Sequence, residues 1–358
     1  MKEYLYNLAT DKYGGLIPGI IKAFLFILSC IYGLVIKILI LFYRLKPRRL
    51  NCKVISVGNI TSGGTGKTSL VEYIARYLKE QGRKVAILSR GYKRIAYSAP
   101  VLECSSYEAM GDEPYMLSRN LGDIPVIVDA DRIRAAKQAI KDYHVDTVIL
   151  DDGFQQWRII KDLEIVTVDA TDHFGNQRMI PRGILREPLS SLKRADVFVL
   201  TKTNINPDIQ DIKDFLNSIN PSAVIFESLH QPVVFYKIDN PQGVLDVDTL
   251  KKETVALFSG IAEPDSFENL IQSLGIRVGL TFKFSDHYQY KQKDLDRIIK
   301  ESQEKNINTI ITTEKDAVRL YRLPLTMLSS LQFLVLKIEL KLKDEQEFHS
   351  RLLKLYSR

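Results

Sequence analysis

The chain is poor in the residues that build metal clusters and disulfide frameworks. Its 358 residues hold three scattered cysteines (Cys30, Cys52 and Cys104) and only five histidines. No cysteines have zinc-site spacing, and so few thiols fit a reducing cytoplasm better than a cross-linked secreted fold. There is a single tryptophan, with no zinc finger and no aromatic RNA-binding signature, so no nucleic-acid partner is expected. Internal repeats and low-complexity tracts are absent. Acidic residues are in the minority: 43 Asp and Glu against 50 Lys and Arg give a net charge of +7. That balance suits an anionic partner, such as lipid headgroups or a phosphorylated substrate.

What the chain does have begins with size. It is long enough for two domains with real cores. Its hydrophobic content of 45% and charged content of 26% are those of a globular protein.

The segment Val54–Leu70, VISVGNITSGGTGKTSL, says most about chemistry. An apolar strand pattern runs into small residues, then Gly66-Lys67-Thr68, then a helical pattern. This is the layout of a phosphate-binding loop. Backbone N–H groups of Thr61, Ser62, Gly63, Gly64, Thr65 and Gly66 would wrap phosphates, Lys67 would reach the β/γ oxygens, and the Thr68 hydroxyl would ligate Mg²⁺. Thr61 stands where the usual pattern opens with Gly. The alternative reading is a Gly-rich turn without ligand.

A second feature is the apolar run from Leu16 to Tyr43, interrupted by Lys22 and Lys37. Its uninterrupted centre, Ala23 to Ile36, is shorter than the roughly 20 residues that span a bilayer, but the full run is long enough if the lysines snorkel. No small-residue cleavage site follows, so a signal peptide is not expected. Arg44, Lys46, Arg48 and Arg49 come next, which puts the remainder on the cytoplasmic side. The run reads equally as a span or as an interfacial helix, with a buried core helix as the bland alternative.

From Val54 to Glu227, short apolar runs alternate with helical patterns. Strands are expected at Val54–Val57, Val85–Leu88, Val126–Val128, Thr147–Leu150, Ile165–Val168, Val197–Leu200 and Ala223–Phe226. Helices are expected at Thr68–Gln81, Glu113–Asn120, Arg132–Tyr143 and Asp208–Ser218. This predicts a P-loop NTPase-type α/β fold: a mostly parallel sheet with helices on both faces and ligands at the strands' carboxyl ends. A second alternation follows Thr254. Strands at Val255–Phe258, Val278–Phe284 and Thr309–Ile311 flank helices at Asp265–Leu274 and Lys291–Glu304. Val233–Ile238 and Leu331–Leu340 bracket it as strand-like linkers. The expected organisation is a membrane-associating helix at 1–45, a P-loop nucleotide-binding domain at 46–229 and a smaller α/β domain at 230–358.

Thr147–Gly153 is a buried strand ending in Asp151-Asp152, where an acid in a P-loop fold binds Mg²⁺; a simple Asp-Asp-Gly turn is the alternative. Asp112-Glu113 opens a helix, where carboxylates also merely favour the macrodipole. Read functionally, they are a base near the transferred phosphate and a metal-associated acid. Ser89–Tyr92 and Arg132 follow strands and read as phosphate clamps or as solvated surface. His287, in Phe284–Tyr288, reads as a structural or solvated loop histidine unless it is paired.

Taken in order, these segments resemble the tetraacyldisaccharide 4'-kinase (lipid A 4'-kinase) family. The resemblance rests on Val57-Gly58-Asn59 leading to GGTGKT, Ser89–Tyr92, Gly111–Pro114 and Asp151–Gln155. It continues through Pro181–Pro188, Ser259–Ala262, Asp286-His287 and Thr312–Val318. It implies ATP with Mg²⁺ as cofactors and the 4'-hydroxyl of a tetraacyldisaccharide 1-phosphate, a lipid A precursor, as acceptor at the bacterial inner membrane. By motif position, Asp112 matches the family's base, His287 its partner and Lys67 the catalytic P-loop lysine. Thr68, Glu113, Asp151 and Asp152 match the metal cluster, and Arg132 a phosphate clamp. The choice of ATP over GTP rests on the resemblance. An isolated Asp is a weak base, near pKa 3.9, so an imidazole sharing the proton is chemically sensible. If the two lie in different domains, closure would assemble them. Gln156 stands where the family has His, and Ile184 where it has Pro. A membrane-associated P-loop NTPase switch is the alternative, and a non-catalytic nucleotide-binding module a weaker one.

Overall fold

The computed structural model describes residues 8, 11, 13–91, 110–206, 208–261, 263–321, 323 and 331–357. Tyr92, Cys104 and Ala262 lie outside the described residues.

In chain order the elements are α1 (Leu16–Arg44), β1 (Lys53–Gly58), α2 (Lys67–Glu80), β2 (Val85–Ser89), α3 (Asp112–Leu121), β3 (Val126–Val128) and α4 (Arg132–Tyr143). There follow β4 (Thr147–Asp151), β5 (Leu163–Asp169), β6 (Val197–Thr201), α5 (Gln210–Ile219), β7 (Val224–Lys237) and β8 (Asn240–Asp246). Last come β9 (Thr254–Ser259), α6 (Pro264–Ser273), β10 (Arg277–Lys283), α7 (Gln292–Glu304), β11 (Thr309–Thr313), α8 (Glu314–Leu320), β12 (Gln332–Leu342) and α9 (Glu345–Lys354).

These elements form two compact units: Met1–Arg90 with Leu121–Leu229 and Leu340–Arg358, and Gly91–Asn120 with His230–Glu339. The expected 46–229 domain is thus divided, with α3 grouped in the second unit. The reason is packing: Met116 of α3 buries against Val318 of α8, and Arg119 lies over the Tyr321 ring at 4.0 Å.

In the first unit the strands run β3-β2-β4-β1-β5-β6-β7, every pair parallel. Strands buried on both faces need continuous apolar runs, and β2, β4, β5 and β6 are buried at every position. Val166, Val168, Phe198 and Leu200 pack with Ile212 and Leu216 of α5 on one face. On the other, Phe226 meets Phe348 of α9 edge-on at 5.2 Å, and Phe348 packs against Tyr73 of α2. All the carboxyl ends therefore share one edge. β1 lies where the chain's course reverses, the usual ligand crevice.

The second unit has its own parallel strands, with β9 between β10 and β11, and β11 pairing β12. Leu295 and Ile298 of α7 pack beneath Ala256, Phe258 and Ile310. On the opposite side, Phe267 and Ile271 of α6 pack beneath Val255 and Leu257. The antiparallel β7–β8 pairing joins Val234 to Asp246 and was not expected from the sequence. β7 fuses two expected strands.

Candidate active site

In the first unit, β1 ends at Gly58, where an added Cβ would sit 2.5 Å from the Phe154 backbone nitrogen. Only glycine lets the loops after β1 and β4 approach this closely. The loop 59–66 follows, and Gly66, at φ +74°, turns it into α2. Thr61 departs from the expected Gly for a visible reason. It is extended and bridges Leu185, while Ser62 N–H donates to the Ile184 carbonyl at 2.7 Å. A paired strand residue has no need of glycine's conformations.

Lys67 begins α2. Its ammonium donates to Asn59 Oδ1 at 3.1 Å and lies 3.6 Å from Asp152. Arg186 grips both Asp152 oxygens at 2.8 Å and donates to the Asn59 carbonyl at 3.0 Å. Burial opposes the charge on Asp152. The hydrogen bond from Arg186, with the charges of Lys67 and Arg132, outweighs it and holds the carboxyl well below its usual range. Asp151 is buried and accepts from Ser89 Oγ at 3.0 Å. Arg90 is exposed, whereas Arg132 is buried and donates to the Asp129 carbonyl. Burial pushes the Arg132 guanidinium down to about 10, against the pull of Asp151 and Asp152.

The donor set fits a polyphosphate with a hard cation. Cβ positions built on Gly63 and Gly64 meet nothing within 4 Å, so the loop's small residues face open space. The Nε atoms of Arg132 and Arg186 are buried without a partner among the described residues. No group of three or more His, Cys, Asp or Glu gathers among the described residues. Mg²⁺ would be held by Thr68 and an aspartate and completed by phosphate oxygens, as this ion usually is.

In the second unit, α3 presents Asp112. His287, at φ +58° after β10, places Nδ1 3.0 Å from Asp112 Oδ2, and its N–H bonds to the Gly260 carbonyl. No movement between the units is needed to bring these two side chains together. Arg319 Nε donates to the same Asp112 oxygen at 2.7 Å, and its Nη2 lies 3.3 Å from His287 Nδ1. His287 Nδ1 therefore has both an acceptor and a donor in reach. Arg319 is wholly buried. Burial works against its charge, and Asp316 and Asp112 outweigh it, raising its pKa. Asp316 in turn accepts from Tyr290 and the Gly260 N–H, both at 3.0 Å. Glu113 belongs to this unit, where Lys315 donates to it at 2.8 Å.

Arg319, Lys315, Arg186 and Asn59 are the site residues that sequence reasoning did not single out. Asn59, Lys315 and Arg186 lay inside quoted motifs, and Arg319 follows one directly.

A family model described as Tetraacyldisaccharide-1-P 4'-kinase matches residues 21–357. A tetraacyldisaccharide 4'-kinase of Halothermothrix orenii is 37% identical, covering 96% of this chain and 95% of its own. That of Elusimicrobium minutum is 38% identical, covering 85% and 82%. The crystal structure of the "apo" form of LpxK from Aquifex aeolicus, in complex with ATP, superposes with a TM-score of 0.77 at 29% identity, covering 94% of this chain and 99% of that one. The expected P-loop-type α/β fold with an N-terminal apolar helix and a smaller α/β portion is what the structure has. The chain belongs to the tetraacyldisaccharide-1-phosphate 4'-kinase family.

Proposed function

We propose that the chain transfers the γ-phosphate of ATP to the 4'-hydroxyl of a tetraacyldisaccharide 1-phosphate at the cytoplasmic face of a bacterial inner membrane. The first unit supplies the phosphate-binding part. Loop N–H groups, Lys67 and Arg132 hold the polyphosphate, and Thr68, Asp151 and Asp152 hold Mg²⁺. The ion, when bound, neutralises charge on phosphate oxygens. Glu113 is left as a metal-associated acid only if Lys315 releases it.

The second unit supplies the proton acceptor. The hydroxyl proton passes to Asp112, with His287 Nδ1 as the next stop. The observation that carries these roles is the 3.0 Å Asp112–His287 contact between residues 175 positions apart in the chain. Separation on that scale makes an accidental helix-cap role for Asp112 a poor explanation. Such acid–base assistance supplies about 10²–10⁴-fold in rate.

α1 is the membrane element. It is long and apolar enough to cross a bilayer by length and composition. Its docking favours lying in the interface. Phe26 lies under Arg178 at 5.1 Å, Ser29 donates to the Met179 carbonyl, Tyr32 to the Arg186 carbonyl, and Tyr43 stacks on Trp157. These contacts follow one stripe of the helix over roughly 26 Å, at 1.5 Å per residue. Crossing the bilayer upright would drag those polar loops into hydrocarbon. Leu16, Ile20, Ile27, Leu34 and Leu41, all more than half exposed, face outwards for one leaflet.

The test is transfer from γ-labelled ATP with Mg²⁺ to a tetraacyldisaccharide 1-phosphate in detergent. A labelled bisphosphorylated lipid from the wild type, lost in Lys67→Ala and Asp112→Ala, supports the reading. Free phosphate without labelled lipid overturns it.

A further inference from the structure

Two adjoining clefts, of about 280 Å³ and about 270 Å³, open beside the first turn of α4. Their walls carry Arg48, Arg132, Arg134, Lys137 and Arg158 against one carboxylate, Asp131. The phosphate loop contributes nothing to either.

The charges there are not balanced by the protein. Asp131 is spent capping α4, accepting from the N–H groups of Ile133 and Arg134. Arg134 is spent on Asp129, at 2.6 and 2.7 Å. Among the described residues no carboxylate pairs with Arg48, Lys137 or Arg158, and the buried Arg132 Nε has no partner. The backbone that carries two of these cations is fixed. Arg48 N–H bonds to the Arg158 carbonyl at 2.7 Å, and Ile160 N–H to the Arg48 carbonyl at 2.9 Å. The bridge pairs Arg48 with Ile159, and the side chains of Arg48 and Arg158 both line the first cleft. Like charges lining one cleft repel unless an anion joins them, and guanidinium groups suit the several oxygens of a phosphate.

The position says which phosphate. Arg48 comes four residues after the end of α1. Trp157, the neighbour of Arg158, stacks on Tyr43 in the last turn of α1 at 6.3 Å. The clefts therefore lie where the apolar helix ends, at headgroup level. On their other side are Gln156 and Arg132, and Arg132 feels the charges of Asp151 and Asp152. We infer that these clefts are the site for the acceptor lipid's own phosphomonoester, with Arg48, Lys137 and Arg158 as its ligands. This rests on the kinase reading above. Gln156, at the position where the family has a histidine, then borders the acceptor's path.

The test uses the whole chain in detergent micelles. Probes are tetraacyldisaccharide 1-phosphate and the same lipid lacking its phosphate. Binding and transfer are compared for wild type, Lys137→Gln, Arg158→Gln and, as a remote control, Lys300→Gln. The wild type should bind the phosphorylated lipid more tightly. Each cleft variant should lose roughly tenfold for that lipid, as expected for one charge-assisted hydrogen bond, and the preference for it should collapse. In transfer, the loss should fall on KM for the acceptor and not on KM for ATP. Equal weakening toward both lipids overturns the proposal. So does a parallel loss of binding to phosphatidylglycerol vesicles with the preference intact, which would make the clefts a site for bulk anionic lipid. If the wild type makes no labelled lipid yet shows the phosphate-dependent binding difference, the kinase reading fails and the cleft assignment stands.

Discussion

The two units solve opposite electrostatic problems. In the first, Lys67, Arg132 and Arg186 outnumber Asp151 and Asp152 at one sheet edge, and two guanidinium Nε atoms have no partner among the described residues. That site is short of anions and suited to a polyphosphate. In the second, Arg319 lies between Asp112 and Asp316, and Lys315 is engaged by Glu113. That site is short of cations and suited to receiving a proton. The proposed phosphoryl transfer needs both imbalances, and each is built beside its own set of parallel strands.

The largest effect should come from removing the centre of either site. Lys67→Ala should lower the transfer rate about 10³-fold and weaken ATP binding, the loss expected when a preorganised donor goes. Asp112→Asn should lower transfer about 10²–10⁴-fold while leaving ATP binding in place. Equilibrium binding of a fluorescent ATP analogue, run beside the transfer assay, separates the two. If both variants lose nucleotide binding, the division of labour breaks down.

Next is Arg319→Met. Taking this buried cation from the buried Asp316 and the partly buried Asp112 should cost about 3–5 kcal/mol of stability, read in denaturant melts. Arg319→Lys keeps the charge but not the three-way fork, and should recover only part of the stability and of the transfer rate. A Met variant as stable as the wild type would show that the second site does not depend on its cation.

Much of this was legible beforehand. Continuous apolar runs such as Val197–Leu200, short and alternating with helical patterns, read as strands buried on both faces, and that placed the parallel sheet. β7 runs through two strands that were expected separately, Ala223–Phe226 and Val233–Ile238, although Pro232 between them has no ladder donor. The structure tolerates it, since Pro232 lies between residues 224–227, which pair with β6, and 234–237, which pair with β8. Arg319 escaped notice for a related reason. An Arg three residues after Asp316 on a helix looks like an ordinary solvated pair. Nothing local says that α8 is covered or that the carboxylate of α3 arrives from 207 positions away. His287 could be singled out by residue type, but its pairing depends on tertiary placement. Likewise, the basic cleft draws Arg48, Lys137 and Arg158 from three separate segments.

Smaller effects sharpen the first unit's side of the comparison. Ile27→Lys with Leu34→Lys puts two charges on the exposed face of α1, at about 2–3 kcal/mol each if that face lies in lipid. The protein should move from the membrane to the soluble fraction while its detergent activity persists. Continued membrane retention would overturn the docked, in-plane helix. The smallest is Glu227→Gln, remote from both sites. Burial disfavours the Glu227 carboxylate, but Lys213 and Lys343 outweigh it and lower its pKa. Its contribution is therefore present above the unfolded value, about 4.3, and is lost as pH falls through the folded value. The variant should be about 1 kcal/mol less stable at pH 7 and equal to the wild type in strong acid, with transfer unaffected.

The most direct test of the central claim is a single-turnover measurement. Wild type and Asp112→Asn, each preloaded with γ-labelled ATP and Mg²⁺, are mixed with tetraacyldisaccharide 1-phosphate in micelles. The account predicts equal loading and transfer at least about 100-fold slower in the variant. Transfer at the wild-type rate would contradict it, and would reduce Asp112 to a helix-opening residue paired with a histidine.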